Sequence, residues 1–217
     1  MNHGFGRIPS PPDERDYRMA DAVRELSRLP RPTKTWHSNL VLDQGETPHC
    51  VGFSWAGWGI SAPVEDPWGN AEGHFIYKQC KALDGDPGDG STVRAGAQVM
   101  LDRQRIKTYY FAADVDEAAE YVARFGPVVL GTVWTQGMMR PSLIGKIIHA
   151  TGQIVGGHAY LWIGVDKTYA TLRNSWGTGW GKGGDARISL RDLRYIWNQG
   201  GEACAATERV LAIGGAR

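Results

Sequence analysis

Gly157-His-Ala-Tyr-Leu-Trp-Ile-Gly-Val-Asp-Lys-Thr-Tyr-Ala-Thr-Leu-Arg-Asn-Ser-Trp-Gly-Thr-Gly-Trp-Gly181 is the stretch that decides the fold class. Its β-branched and aromatic runs, 158–165 and 169–174, predict two strands joined by a turn at Asp166-Lys167. Residues 128–134 read as a third strand, and 186–190 and 209–213 as two more. The first half of the chain differs. Residues 50–60, Cys-Val-Gly-Phe-Ser-Trp-Ala-Gly-Trp-Gly-Ile, are apolar on nearly every face and predict a buried helix. Thr47 can cap it, and Pro48 suits its first position. Further helices are expected over about 73–83, 93–103 and 113–125. The last carries Val115, Ala118, Ala119, Val122 and Phe125 at helical spacing. Helices first and strands second predict an α+β protein with a helical lobe facing a sheet lobe.

Composition limits the partners. Lys plus Arg is 24 and Asp plus Glu is 23, so the formal charge is +1. Nucleic acid or a membrane surface would need a clustered positive field, so neither is expected as a partner. Three cysteines, Cys50, Cys80 and Cys204, leave at least one thiol unpaired and form no C-x-x-C pair. A disulfide scaffold and a thiolate zinc site are therefore not expected, nor is any other metal or cofactor. The first residues hold no apolar run of the signal-peptide kind, and no stretch of about 18 apolar residues follows. A soluble, cytoplasmic monomer is the expectation.

The candidate chemistry starts at Cys50. A free cysteine is most often inert packing. A thiol in the first turn of a helix, however, feels the positive end of the helix dipole, which favours the nucleophilic thiolate. His158 lies eight residues before the turn centre at Asp166, and Asn174 eight after. If the hairpin register holds without a bulge, the two are cross-strand neighbours, and the Asn174 amide oxygen could orient the imidazole. Gln44 lies six residues before Cys50. Its amide could join the Cys50 N–H as an oxyanion donor.

Gln44-Gly45, Cys50, Phe53-Ser54, Gly157-His158-Ala159 and Asn174-Ser-Trp-Gly-Thr-Gly-Trp-Gly181 together resemble the papain-like cysteine peptidases, from about Trp36 onward and weakly between 60 and 120. The resemblance implies a two-lobe fold: a helical lobe with a central buried helix over about 36–125, an antiparallel, barrel-like β lobe over 126–217, and a cleft between. It implies an endopeptidase acting on polypeptides, with Cys50 as nucleophile, His158 as general base and acid, Asn174 as orienter and Gln44 as oxyanion donor. A transpeptidase, or a peptide-binding module without catalysis, are the alternatives on the same fold. Trp176 would shield the His–Asn bond. Gly131, Gly156 and Ala159 would line the pocket for the second residue before the scissile bond, and Gly90-Ser91 would hold the substrate backbone. Three small residues predict a roomy apolar pocket for Leu, Phe or Tyr, although each glycine could instead serve a turn or bulge. A protein inhibitor of the groove is a further partner to expect.

The departures matter as well. Thr47 stands where relatives carry a cysteine, so the disulfide that residue makes is not expected here. Cys204 resembles another disulfide position, with no partner evident on 145–157. Only about 35 residues precede Trp36, too few for the long inhibitory propeptide of many relatives. Residues 1–35, rich in Pro and Arg, read as an arm on the domain, with a short helix over 20–29 and either arm or disordered leader for the first eight. The arm could cover the cleft. His49 is expected to face solvent, His74 and His149 to lie on the surface, Cys80 to pack in the core, and 84–89 to form a solvated turn.

Overall fold

A computed structural model describes residues 3–14, 16–23 and 29–206. In chain order the strands are β1 (Arg7–Ile8), β2 (Tyr17–Arg18), β3 (Lys34–Thr35), β4 (Ser91–Thr92), β5 (Tyr109–Phe111), β6 (Val128–Thr135), β7 (Ile147–Ile148), β8 (Ile154–Val165), β9 (Tyr169–Arg173), β10 (Asp185–Ser189) and β11 (Glu202–Ala206). The helices are α1 (Ala20–Val23), α2 (Cys50–Ile60), α3 (Asn70–Asp84), α4 (Val93–Asp102), α5 (Val115–Arg124) and α6 (Leu190–Trp197).

One sheet, in the order β2-β5-β11-β6-β8-β9-β10-β7 with β3 also on β8, forms the centre of an α+β protein. Its middle is antiparallel, as expected, but β2–β5 and β10–β7 are parallel. Both exceptions involve two-residue strands that arrive by long connections, where no hairpin turn imposes antiparallel pairing. The period-2 alternation of strand side chains divides the core in two. Val129, Ala159, Leu161, Ile163 and Cys204 face α2, α3 and α4. Val128, Leu130, Tyr160, Trp162, Ala203 and Ala205 face α5 and α6. Helix α5, grouped by sequence order with the earlier helices, thus packs on the opposite face, through Val115, Ala118, Ala119 and Val122.

Helix α2 is buried along its whole length and spans the predicted residues. Its start corrects the sequence reading. His49, not Thr47, occupies the capping position, without a side-chain cap. The Thr47 hydroxyl instead donates to the Gln44 carbonyl at 2.7 Å, closing the turn that precedes the helix. The strand expected at 209–213 and residues 24–28 of the expected 20–29 helix lie outside the described residues.

Helix α2 meets α3 through glycines. A Cβ on Gly52 would stand 2.2 Å from the Gly73 carbonyl oxygen and 2.6 Å from the Tyr77 backbone nitrogen. Alanine's better helix propensity favours Gly52→Ala by about 1 kcal/mol. Separating two backbones outweighs it, since overpacking costs about 1–3 kcal/mol and often more where backbone must move. Gly52→Ala is therefore expected to lower Tm by several degrees in thermal unfolding, and an unchanged or raised Tm would contradict this packing.

Candidate active site

Cys50 is the first residue of α2 and is fully buried. Backbone N–H groups of Ala159, Gly6 and Val51 point at its sulfur and favour thiolate, yet burial dominates and pushes the thiol up to about 11. The sequence argument from the helix dipole has the right sign and the wrong winner. Cys80 and Cys204 are also buried, free thiols. Burial raises Cys80 to about 12 and Cys204 well above the ordinary value.

His158, on β8, is fully buried. Asn174, one residue beyond β9, accepts from His158 Nε2 through Oδ1 at 2.8 Å. The same oxygen accepts from the Ser175 N–H at 2.8 Å. An amide oxygen can only accept, so Nε2 carries the proton. Nδ1, which has no hydrogen-bond partner in the structure, holds the free lone pair. Burial drives the imidazole down to about 4, against the Asn174 bond, which raises it. Direct cross-strand pairing is not how the two meet. A bulge between Trp162 and Gly164 shifts the β8–β9 register, so Arg173 faces Leu161. Asn174 leaves the ladder, donating its N–H to Gly184 at 2.9 Å, and its side chain reaches back to His158. Trp176 stacks on His158 at 4.7 Å, and Trp134 meets the imidazole edge-on at 5.0 Å.

Gln44 is locked from both ends. Its N–H donates to the Ser175 carbonyl at 2.9 Å, and its Oε1 accepts from Ser175 Oγ at 2.7 Å. Its Nε2 donates to the Thr47 carbonyl at 2.7 Å and to the Gly4 carbonyl at 3.1 Å. The second acceptor belongs to the N-terminal arm.

Residues 3–8 run along the groove beside Cys50 and His158. His3 stacks on Trp176 at 4.1 Å. Phe5 meets His158 edge-on at 5.8 Å and lies against Gly156, where a Cβ would come within 2.8 Å of its ring. The Gly6 N–H donates to the Gly157 carbonyl at 3.2 Å, and the Ser91 N–H donates to the Gly6 carbonyl at 2.7 Å. Strand β1 then pairs parallel with β4. Gly90, at φ +92°, lets the arm approach, since a Cβ there would stand 2.4 Å from the Gly6 oxygen. Arg7 turns into a pocket beside Gly131, where its Nη2 donates to Glu202 Oε1 at 2.8 Å and both side chains are largely buried. Past His3 and Trp176 the groove opens into a cavity of about 540 Å³, lined also by Met139, Arg140, Lys146 and Trp180.

Of the candidate site residues, Gln44, Cys50, Gly90, Ser91, Gly131, Gly156, His158 and Trp176 touch residues 3–8, while Asn174 contacts His158 and Ala159 contacts the Cys50 sulfur. Sequence reasoning missed Phe5, Arg7, Ser175 and Glu202, none of which stands in a pattern that marks it. His49 is not simply solvent-facing. Its ring stacks on Tyr77 at 3.9 Å, and its Nδ1 lies 2.7 Å from His74 Nδ1. The ring is pushed down to about 4 by burial and then by His74 and Lys78. Asp84 Oδ2 accepts from Ser91 Oγ at 2.7 Å, so the last residue of α3 helps fix the groove wall. Among the described residues no group of three His, Cys, Asp or Glu side chains could hold a metal, and no helix is long and apolar enough to cross a membrane.

No protein-family profile matches the chain. Cathepsin O of Mus musculus is 30% identical over 122 residues, covering 54% of this chain and 35% of that protein. The match thus spans about a third of that relative's length. Xylellain, a cysteine protease from Xylella fastidiosa, superposes with a TM-score of 0.74 at 21% identity, covering 96% of this chain and 97% of that one. Procathepsin B S9 from Trypanosoma congolense gives a TM-score of 0.60 at 12% identity, covering 95% and 87%.

Proposed function

The chain is related in sequence to the papain-like cysteine peptidases and has their fold; on that premise we propose that it is a cysteine endopeptidase, latent while residues 3–8 fill its groove. One observation carries the reading. The groove beside Cys50 and His158 already binds an extended peptide backbone, with the Gly4 carbonyl on the Gln44 amide.

In the proposed reaction a substrate displaces the arm, and its carbonyl takes the place of the Gly4 carbonyl. His158 Nδ1 accepts the Cys50 proton, and the sulfur attacks the carbonyl carbon. Gln44 Nε2 and the Cys50 N–H stabilise the oxyanion. The tetrahedral adduct collapses as imidazolium protonates the leaving amine, and a thioester remains on Cys50. Water, deprotonated by His158, attacks the thioester carbon; the C–S bond breaks, the acid departs, and the imidazolium returns its proton to the Cys50 sulfur. Asn174 keeps the Nε2–H tautomer throughout, and Trp176 covers that bond.

Product masses, with and without an added amine, test the reading. Free acid and amine termini are expected, while an amide of the added amine as main product would point to transfer. Gln44→Ala, in a chain whose arm is loosened by Phe5→Ala, is expected to lower kcat by about 10²–10³. KM should move far less, and an unchanged kcat would remove Gln44 from the oxyanion site.

A further inference from the structure

The loop Met139-Arg-Pro-Ser-Leu-Ile-Gly-Lys-Ile147 carries two large apolar side chains into solvent. Leu143 is 91% exposed and Ile144 89%, whereas no other large hydrophobic among the described residues exceeds 63%. A single exposed leucine needs no explanation, but two adjacent ones make a contiguous apolar surface. The loop is tied at both feet. The Met139 carbonyl accepts from Trp180 Nε1 at 3.1 Å. The Ser142 N–H donates to the Ile147 carbonyl at 2.8 Å, and the Ile147 N–H donates to Ser142 Oγ at 2.9 Å. The Ser142 hydroxyl donates to the Ile144 carbonyl at 2.6 Å. The Arg187 N–H donates to the Lys146 carbonyl at 2.9 Å, where β7 joins β10. Gly145 and Lys146 turn the chain at φ +73° and +50°, a region lysine rarely adopts. A built turn thus displays the apolar pair.

The surroundings carry one sign of charge. Arg140 and Lys146 flank the tip and line the cavity of about 540 Å³ beside it, whose described lining holds no acidic side chain. Gly181 lines it as well, and Lys182 follows. Among the described residues no carboxylate pairs with Arg140, Lys146 or Lys182. The formal charge of +1 is a sum over the chain and conceals this local excess, so the composition argument set a membrane surface aside too early.

We propose that the 140–146 loop is a membrane-docking surface: Leu143 and Ile144 insert into the interface of an anionic bilayer, and Arg140 and Lys146 meet its lipid phosphates. The shape favours this occupant. Exposure so high on two neighbours means a projection, not a groove. A bilayer interface accepts a projection without a matching pocket, whereas a folded partner would have to supply one. Interfacial attachment grows with the apolar area buried and with attraction between cations and anionic lipid, and this loop offers both on one tip. It needs no helix that crosses the membrane. The inference goes beyond the peptidase reading and does not depend on it. Trp176, which covers His158, lines the same cavity, so docking would turn that end of the groove toward the lipid.

Cosedimentation of the full chain with vesicles tests this. Binding to vesicles of equal parts phosphatidylglycerol and phosphatidylcholine is expected to exceed binding to phosphatidylcholine alone by about tenfold or more. Leu143→Ser with Ile144→Ser should lower it by about tenfold or more. That variant should keep the parent Tm, because both side chains lie in solvent. Arg140→Gln with Lys146→Gln should remove most of the preference for anionic lipid. No binding to either vesicle would overturn the proposal. Anionic-vesicle binding that survives Leu143→Ser with Ile144→Ser would overturn it too, leaving charge attraction without insertion. A dimer in sedimentation velocity that the same variant abolishes, without vesicle binding, would assign the tip to a contact between copies instead. Soluble polyglutamate bound as tightly as the anionic vesicles would assign it to an acidic polypeptide.

Discussion

Cys50→Ala abolishes peptide hydrolysis on the reading above, with kcat falling by about 10⁴–10⁶-fold. The argument is chemical. No other thiol can substitute, because Cys80 sits within α3 and Cys204 on β11, whereas the Cys50 sulfur receives the N–H of Ala159, the residue after His158. Alanine at 50 keeps the helix start and removes only the sulfur, so far-UV circular dichroism and Tm should change little. A thiol-directed epoxide should add one equivalent of label to the arm-loosened chain and none to its Cys50→Ala form. Residual turnover near the parent's in the Cys50→Ala chain would end the nucleophile assignment.

Arg7→Ala is expected to raise peptidase activity by about 10²-fold or more. Removing one partner of a buried ion pair costs about 3–5 kcal/mol, because the other charge stays behind uncompensated. Spent on the closed state of the arm, that cost shifts the open population by about 10²–10³-fold, at one decade per 1.4 kcal/mol. Acid should do part of the same work. Under the arm His158 is held at about 4, below the ordinary histidine value of 6.5, chiefly by burial, and His3 is lowered the same way. Between those values the open form binds more protons than the closed one. The contribution of these histidines to closure is therefore fully present above about pH 6.5 and is lost progressively as pH falls toward 4. The ratio of wild-type to Arg7→Ala activity, which cancels the pH dependence of the reaction itself, should rise across that window. A ratio flat with pH would exclude titration of His158 and His3 as the release, and equal activities would exclude latency.

The parts legible in the sequence are those with a local signature. The all-apolar run 50–60 marks a helix buried on every side. The pattern 157–181 marks both strands and the His–Asn pair. What was not legible depends on distant pairing. Strand β11 is an alanine-rich segment with weak strand propensity, made a strand by lying between β5 and β6. The hairpin turn centres between Lys167 and Thr168, past Asp166, so the equal-arm hairpin argument placed His158 and Asn174 together by the wrong geometry. The shift of Cys50 away from thiolate could not be read either, because it is set by burial, which depends on residues distant in the chain. Glu202 escaped for the same reason: it pairs with Arg7, from the other end of the chain.

The arm that fills the groove is joined to the domain it covers. A tethered segment presents itself at an effective concentration of about millimolar. A free peptide at micromolar concentration must therefore bind about a thousandfold more tightly than the arm to share the groove equally. The tether thus acts as a threshold: it filters out weak and dilute peptides, and lets through those that are abundant, tightly bound or presented at high local density.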